Sequence, residues 1–151
     1  MKKQTLLRVF WFLLPLAAGG LAAILSRGGM DFYETAVQPP AAPPPVLFPI
    51  AWSILYTLMG ISAVIAYNRG CVRSLLLFCV QLLLNFLWPL LFFNARALWA
   101  SFVLLLLLFV AAFWTAISLY RCRPLAGILF IPYLLWLGFA AYLNAMIAYL
   151  N

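Results

Sequence analysis

Three sets of aromatic, small and amide residues recur at helical spacing. Trp52, Tyr56 and Gly60 stand at i, i+4 and i+8, Gln81, Asn85 and Trp88 at i, i+4 and i+7, and Trp136, Ala140 and Asn144 at i, i+4 and i+8. Such spacings place each set on one face of a helix. Rings, small side chains and neutral amides suit one kind of chemistry: a large, flat, mostly apolar ligand is stacked and enclosed, and a few hydrogen bonds fix its orientation. Acid–base and metal chemistry is poorly supplied. The chain has no histidine, its two carboxylates (Asp31 and Glu34) lie in a polar segment, and no charged residue falls in the middle of a hydrophobic run. Proton relays and ion-coupled carriers draw on intramembrane ionisable groups, so both are disfavoured, and no metal site is expected. An amide in hydrocarbon needs a partner, and spacing alone leaves open whether Gln81 and Asn85 join helices or face a ligand. The same choice stands for Trp52, Trp88 and Trp136, whereas Trp11, Trp99 and Trp114 lack an aligned amide and read as interface belt or packing.

These faces require helices, and composition says where. Of 151 residues 69% are hydrophobic and 7% charged, against about 25% charged in a soluble domain. With a mean hydropathy of +1.15 the chain reads as a polytopic, all-α membrane protein. Five transmembrane helices are expected, at about 6–26, 46–68, 74–93, 97–120 and 125–150, in a single domain over 1–151. Five spans do not divide into two equal inverted repeats, the usual carrier plan. The apolar run Val9–Ser26 is longer than a signal-peptide core and predicts a retained first helix. Its Ala18, Gly19, Ala22 and Ala23 permit close helix approach, read as packing within the chain rather than dimerisation. The segment 26–37 reads as a solvated polar loop carrying both acids. Six of the ten prolines then lie between Pro39 and Pro49. Locked φ angles and missing N–H groups predict a stiff, extended course, able to act as a lid between the first and second helices. Pro49 falls in the first turn of the second helix, Pro132 is expected to kink the fifth, and the fourth, with Leu104–Leu108, reads as the most lipid-facing wall. The three cysteines, Cys71, Cys79 and Cys122, form no CxxC pair, and their odd number predicts free, buried or interfacial thiols.

Five spans put Lys2, Lys3, Arg8, Arg69, Arg73, Arg121 and Arg123 on one side of the bilayer and Arg27 and Arg96 on the other. The positive-inside rule then makes the N-terminus cytoplasmic and turns the proline segment and the C-terminus outward. Basic residues spread in this way mark orientation, not a nucleic-acid surface. Short connections between helices suggest a bacterial inner-membrane protein.

Several stretches, taken in order, resemble the translocator protein/tryptophan-rich sensory protein (TspO/MBR) family. They are Phe32 and Tyr33 before the proline-rich loop, Pro43 and Pro44, the Trp52, Leu55, Tyr56, Met59, Gly60 pattern, Gln81, Leu84, Asn85 and Trp88 followed by Phe92, Phe93, Ala95 and Arg96, and PYLLWLGFAAYLN from Pro132 to Asn144. The resemblance covers nearly the whole chain. It implies five transmembrane helices around a site under the first loop for tetrapyrroles such as protoporphyrin IX and, in some members, for sterols and synthetic isoquinoline carboxamide or benzodiazepine ligands. Carried over by position, the ligand-binding candidates are Tyr33, Trp52, Asn85, Trp88, Trp136 and Ala140, with Pro43 and Pro44 in the lid. No cofactor is implied; porphyrin would be ligand or substrate. The expected role is that of sensor, scavenger or transporter. One alternative is light- and oxygen-dependent porphyrin degradation, for which the resemblance names Trp52 and Trp136 as catalytic. Another is a membrane interaction protein with no ligand of its own. Expected partners are a hydrophobic small molecule, the lipid bilayer and a second copy in a homodimer, with no nucleic acid. Two positions depart from the family pattern. Ala41 stands where a loop tryptophan is usual, and Tyr149 is followed only by Leu150 and Asn151, without the basic residue of the animal sterol pattern. Val64, Tyr67 and Arg69 satisfy that loose pattern elsewhere.

Overall fold

Hydrocarbon offers the backbone no hydrogen bonds, so a chain this apolar satisfies its own peptide groups by forming helix. The computed structural model describes residues 2–151; Met1 of the expected 1–151 domain lies outside them. Seven α-helices follow in order: α1 (Lys2–Ser26), α2 (Met30–Thr35), α3 (Leu47–Asn68), α4 (Val72–Pro89), α5 (Leu98–Cys122), α6 (Pro124–Ile128) and α7 (Ile131–Leu150). Stretches of unbroken or nearly unbroken helix join these into five lengths apolar and long enough to cross a membrane. No strand occurs among the described residues. The five-helix expectation therefore holds, and the protein is an integral membrane protein in contact with the bilayer.

Four details differ from the reading of the sequence. The segment 26–37 is mostly helical, not a polar loop: a 3₁₀ turn at Arg27–Gly29 carries α1 into α2. The glycine pair bends the course without stopping it, and Thr35 closes the end by donating its hydroxyl to the carbonyls of Asp31 (2.9 Å) and Phe32 (3.2 Å). Asp31 and Glu34 are exposed. Pro132 does not kink a continuous fifth helix. It occupies the first turn of α7, where its missing N–H has no partner to lose, and the break falls ahead of it at Leu129–Phe130. The most lipid-facing wall is α1, which buries only Pro15, Gly19, Ala22 and Ser26, whereas α5 turns Ser101, Leu105, Leu108, Ala112, Thr115, Ala116 and Leu119 inward. A leucine run has no polar face to direct it, and α5 is covered by α4 on one side and by α6 and α7 on the other. Finally, Cys71 and Cys122 form a disulfide, with 6.2 Å between their Cα atoms, leaving Cys79 as the exposed free thiol. Counting cysteines missed this because the antiparallel packing of α4 on α5 brings the start of one helix beside the end of the other.

The small residues of α1 serve packing within the chain. At Gly19 a methyl group would overlap the ring of Tyr56, and at Gly60 it would overlap the Phe12 carbonyl oxygen, so α1 and α3 meet with no room for a Cβ at either place. At its far end α4 passes into a π-helical turn, Leu90–Asn94. There Asn94 Nδ2 donates to the Leu25 carbonyl at 2.8 Å, and the Arg96 guanidinium lies 5.5 Å from the centre of the Phe32 ring.

The proline segment is tied down at both ends. The Tyr33 hydroxyl donates to the Pro43 carbonyl (3.3 Å), Gln38 Nε2 donates to the Tyr33 carbonyl, and turns bond Ala42 to Pro39 and Leu47 to Pro44. Asn151 holds Val37 from both sides: the Val37 N–H donates to Asn151 Oδ1 (2.9 Å) and Asn151 Nδ2 donates to the Val37 carbonyl (3.0 Å). These bonds are exposed, so they fix local order more than global stability. Asn151→Ala is expected to raise hydrogen exchange at the Val37 amide roughly five- to tenfold and to cost less than about 1 kcal/mol overall. Unchanged exchange at Val37 in a mass-spectrometric time course would refute the latch.

Candidate functional site

The half of the bundle nearest the proline segment contains a cavity of about 400 Å³. Its walls come from three helices. From α1 come Gly19, Ala22, Ala23 and Ser26, continued by Arg27 and Met30. From α3 come Phe48, Pro49, Trp52 and Tyr56, and from α4 Asn85, Trp88 and Pro89, with Phe93 of the π turn beyond. Small residues on α1 make the space and aromatic residues on α3 and α4 line it. The Trp52 ring stacks on Tyr56 (centroids 5.2 Å apart, planes at 26°), and Trp88 stacks on Phe92 (5.5 Å, 26°). Each tryptophan is therefore held by a neighbouring ring and not free to turn.

Behind the cavity runs a chain of buried hydrogen bonds. The Tyr56 hydroxyl donates to Asn85 Oδ1 (2.6 Å), Asn85 Nδ2 donates to the Tyr133 hydroxyl (3.0 Å), and Tyr133 donates to Gln81 Oε1 (2.8 Å). A second centre lies in the same half, nearer the turn between α4 and α5. Asn144 Oδ1 accepts from Trp88 Nε1 (3.0 Å) and from the Ser101 hydroxyl (3.1 Å), while its Nδ2 donates to the Leu98 carbonyl (2.9 Å). The two roles open for the amides thus divide by position. Asn144 joins α4, α5 and α7, and Asn85 both joins α3, α4 and α7 and forms part of the cavity wall.

Among the ligand-binding candidates carried over by position, Trp52, Asn85 and Trp88 come together on the cavity wall, beside Tyr56 of the Trp52 face. The others stand outside the lining. Trp136 sits one ring behind it, edge to face against Trp52 (6.4 Å, 83°) and Phe48 (6.1 Å, 79°), with its indole N–H buried and unpartnered among the described residues. Tyr33 is buried beneath the proline segment, edge to face with Phe48 at 5.2 Å. Pro43 is buried, Pro44 is exposed, and Ala140 is buried in α7. Several wall residues escaped the sequence reading: Phe48, one turn ahead of Trp52, and the α1 residues, whose small-residue pattern announced close packing but also describes the wall of a space. Tyr133 was legible only as part of a motif, because its hydroxyl matters through two partners on another helix, Gln81 and Asn85 of α4. Among the described residues no group of histidine, cysteine, aspartate or glutamate could hold a metal ion.

Five membrane-crossing helices, three of which line an aromatic cavity whose one charged residue, Arg27, is exposed at the rim, define a small polytopic membrane protein. Residues 11–150 match the TspO/MBR family, and the chain belongs to it. It is similar to the protein CrtK of Rhodobacter capsulatus (36% identity, covering 93% of this chain and 90% of the relative). It is similar also to the tryptophan-rich protein TspO of Chlorobaculum tepidum (33%, covering 100% and 99%). The translocator protein of Ovis aries is 37% identical over 87% of this chain and 82% of its own length.

Proposed function

We propose that the cavity between α1, α3 and α4 binds a tetrapyrrole of the protoporphyrin IX kind, or another flat hydrophobic molecule drawn from the bilayer, and that the protein serves as its sensor, scavenger or transporter. The observation that carries this reading is the pair of fixed tryptophans, Trp52 and Trp88, on the wall of an apolar space whose amide, Asn85, is held in place from behind. Fixed rings offer stacking surface at little entropic cost. The relatives' names, tryptophan-rich sensory protein and translocator protein, fit a sensing or carrying role. The proline segment would act as the lid, with Pro43 and Pro44 above and Tyr33 below. No cofactor is needed for binding. The basic residues favour a cytoplasmic N-terminus in a bacterial inner membrane. In that orientation the Cys71–Cys122 disulfide faces a reducing compartment, which would open it to a pair of neighbouring thiols.

The test is quenching of intrinsic tryptophan fluorescence by protoporphyrin IX in the dark, in wild type, Ala23→Phe and Asn85→Leu. Ala23 is exposed on the cavity wall, so a phenylalanine there obstructs the space without entering the core. Saturable quenching is expected, with affinity lowered about tenfold or more in both variants. Linear quenching, or the same curve in all three, would mean partition into detergent and would end the ligand reading. One observation favours porphyrin degradation as a second reading: Trp52 and Trp136 are in edge-to-face contact at the cavity wall. Illumination in air separates the two, since a degrading enzyme consumes pigment and loses that activity in Trp136→Phe while dark binding persists.

A further inference from the structure

The other buried serine and threonine hydroxyls of the bundle's helices find an acceptor, in their own helix or, for Ser74, in a neighbouring one, and Ser26 does not. Ser53, Thr57, Ser62 and Thr115 each donate to the carbonyl four residues earlier, at 2.7–3.0 Å. This is the usual resting place for a hydroxyl in a helix without water. Ser26 is 3% exposed, lines the cavity, and has no hydrogen-bond partner for its Oγ among the described residues. Three buried side-chain polar atoms are unpartnered in this way, on Ser26, Gln81 and Trp136, and only Ser26 belongs to the cavity wall. The next residue, Arg27, lines the same end of the cavity and forms no ion pair among the described residues, although Asp31 lies one helical turn away. Of the other polar side chains of the wall, Tyr56 is engaged with Asn85, Asn85 with Tyr133 and Trp88 with Asn144, while the Trp52 indole belongs to another helix, α3, and stacks on Tyr56. The cavity thus has a mostly apolar, aromatic body and one end where an uncommitted hydroxyl is followed in the chain by a cation.

We propose that Ser26 and Arg27 form an anionic-group anchor that selects, among flat hydrophobic ligands, those with a carboxylate at one edge. The Ser26 hydroxyl donates to one carboxylate oxygen while the Arg27 guanidinium, at the rim, pairs with the group from the water side. The rings of Trp52 and Trp88 take the apolar body. A buried hydroxyl without a partner is costly, and a carboxylate supplies the acceptor that the helix does not. This inference rests on the ligand reading above and goes further by naming the charge and the end of the ligand that is read.

The experiment compares protoporphyrin IX, a dicarboxylic acid, with its dimethyl ester, which keeps the ring and removes the charge. Both are titrated in the dark against the full chain in detergent, in wild type, Ser26→Ala and Arg27→Gln. Wild type is expected to bind the diacid about tenfold more tightly than the diester, as one charge-assisted hydrogen-bonded pair would give. Either substitution should erase most of that preference by weakening the diacid alone. Ser26→Ala removes an unpartnered group and Arg27 is exposed, so neither threatens folding, and retained diester affinity in the variants verifies it. Equal saturable binding of diacid and diester in wild type, or an equal loss of both in the variants, overturns the anchor and leaves the ligand cavity standing. Absence of saturable binding by either compound in wild type overturns the ligand reading, and the anchor falls with it.

Discussion

Asn144→Leu is expected to destabilise the protein by about 3 kcal/mol, more than any other single amide change in the bundle. Leucine has the branching and the number of side-chain heavy atoms of asparagine, so the loss is chiefly one of hydrogen bonds. Three helices are affected together, because Asn144 accepts from Trp88 on α4 and Ser101 on α5 and donates to the Leu98 carbonyl. Ser101 retains a partner, since its hydroxyl also donates to Leu98 at 2.8 Å, but the Trp88 N–H is stranded in a buried position. A hydrogen bond between membrane helices averages about 0.6 kcal/mol and reaches about 1.7. The estimate therefore needs the stranded indole donor as well as the three bonds. Unfolding in mixed micelles of increasing denaturing-detergent content measures it, followed by the circular dichroism of the helices. A loss below about 1 kcal/mol would show that Trp88 finds another acceptor and that Asn144 is no hub.

Gly60→Ala should come next, at about 2–3 kcal/mol, although alanine is the better helix former by about 1 kcal/mol. The added methyl group would overlap the Phe12 carbonyl oxygen, which is backbone and cannot rotate aside. Helix α1 must move away from α3. Since α1 supplies Gly19, Ala22, Ala23 and Ser26 to the cavity, its displacement should weaken ligand quenching along with stability. Gly20→Ala is the matching control: no atom lies within 4 Å of a methyl group there, and propensity alone should leave the protein unchanged or slightly more stable. Equal effects at the two glycines would sink the argument from close approach.

The parts of the fold legible in the sequence are those written in long-range hydropathy and in helical period. Five spans follow from runs of apolar residues that no other structure could accommodate in a membrane, and the i, i+4 spacing of Trp52, Asn85 and Trp88 with their neighbours gives the faces that meet at the cavity. What was not legible depends on where an element ends or on which neighbour arrives. Arg27-Gly28-Gly29, with acids following, has the composition of a loop, yet packing against the end of α4 keeps it helical. Trp136 shares its spacing with the wall residues but stands behind Trp52, because the rotation of α7 about its own axis is set by Tyr133 and Asn144 reaching α4. The pairing of Cys71 with Cys122 needed the α4–α5 hairpin itself. Ser26 is the clearest case: a serine at the end of a span looks like an ordinary terminus, and only the absence of its usual carbonyl partner sets it apart.

The π-helical turn at Leu90–Asn94 carries a consequence for descent. A π turn is an α-helix holding one surplus residue, and each residue in an α-helix turns the chain by about 100°. Phe92, Phe93, Asn94 and Arg96 therefore owe their facing to an inserted position, not to the phase of α4. A relative shorter by one residue within this turn could keep the hydrogen bonds of Asn85 and Trp88 and still swing Phe93 off the cavity. In comparing such chains, length between Pro89 and Arg96 is a character in its own right, one that identity scores do not weigh.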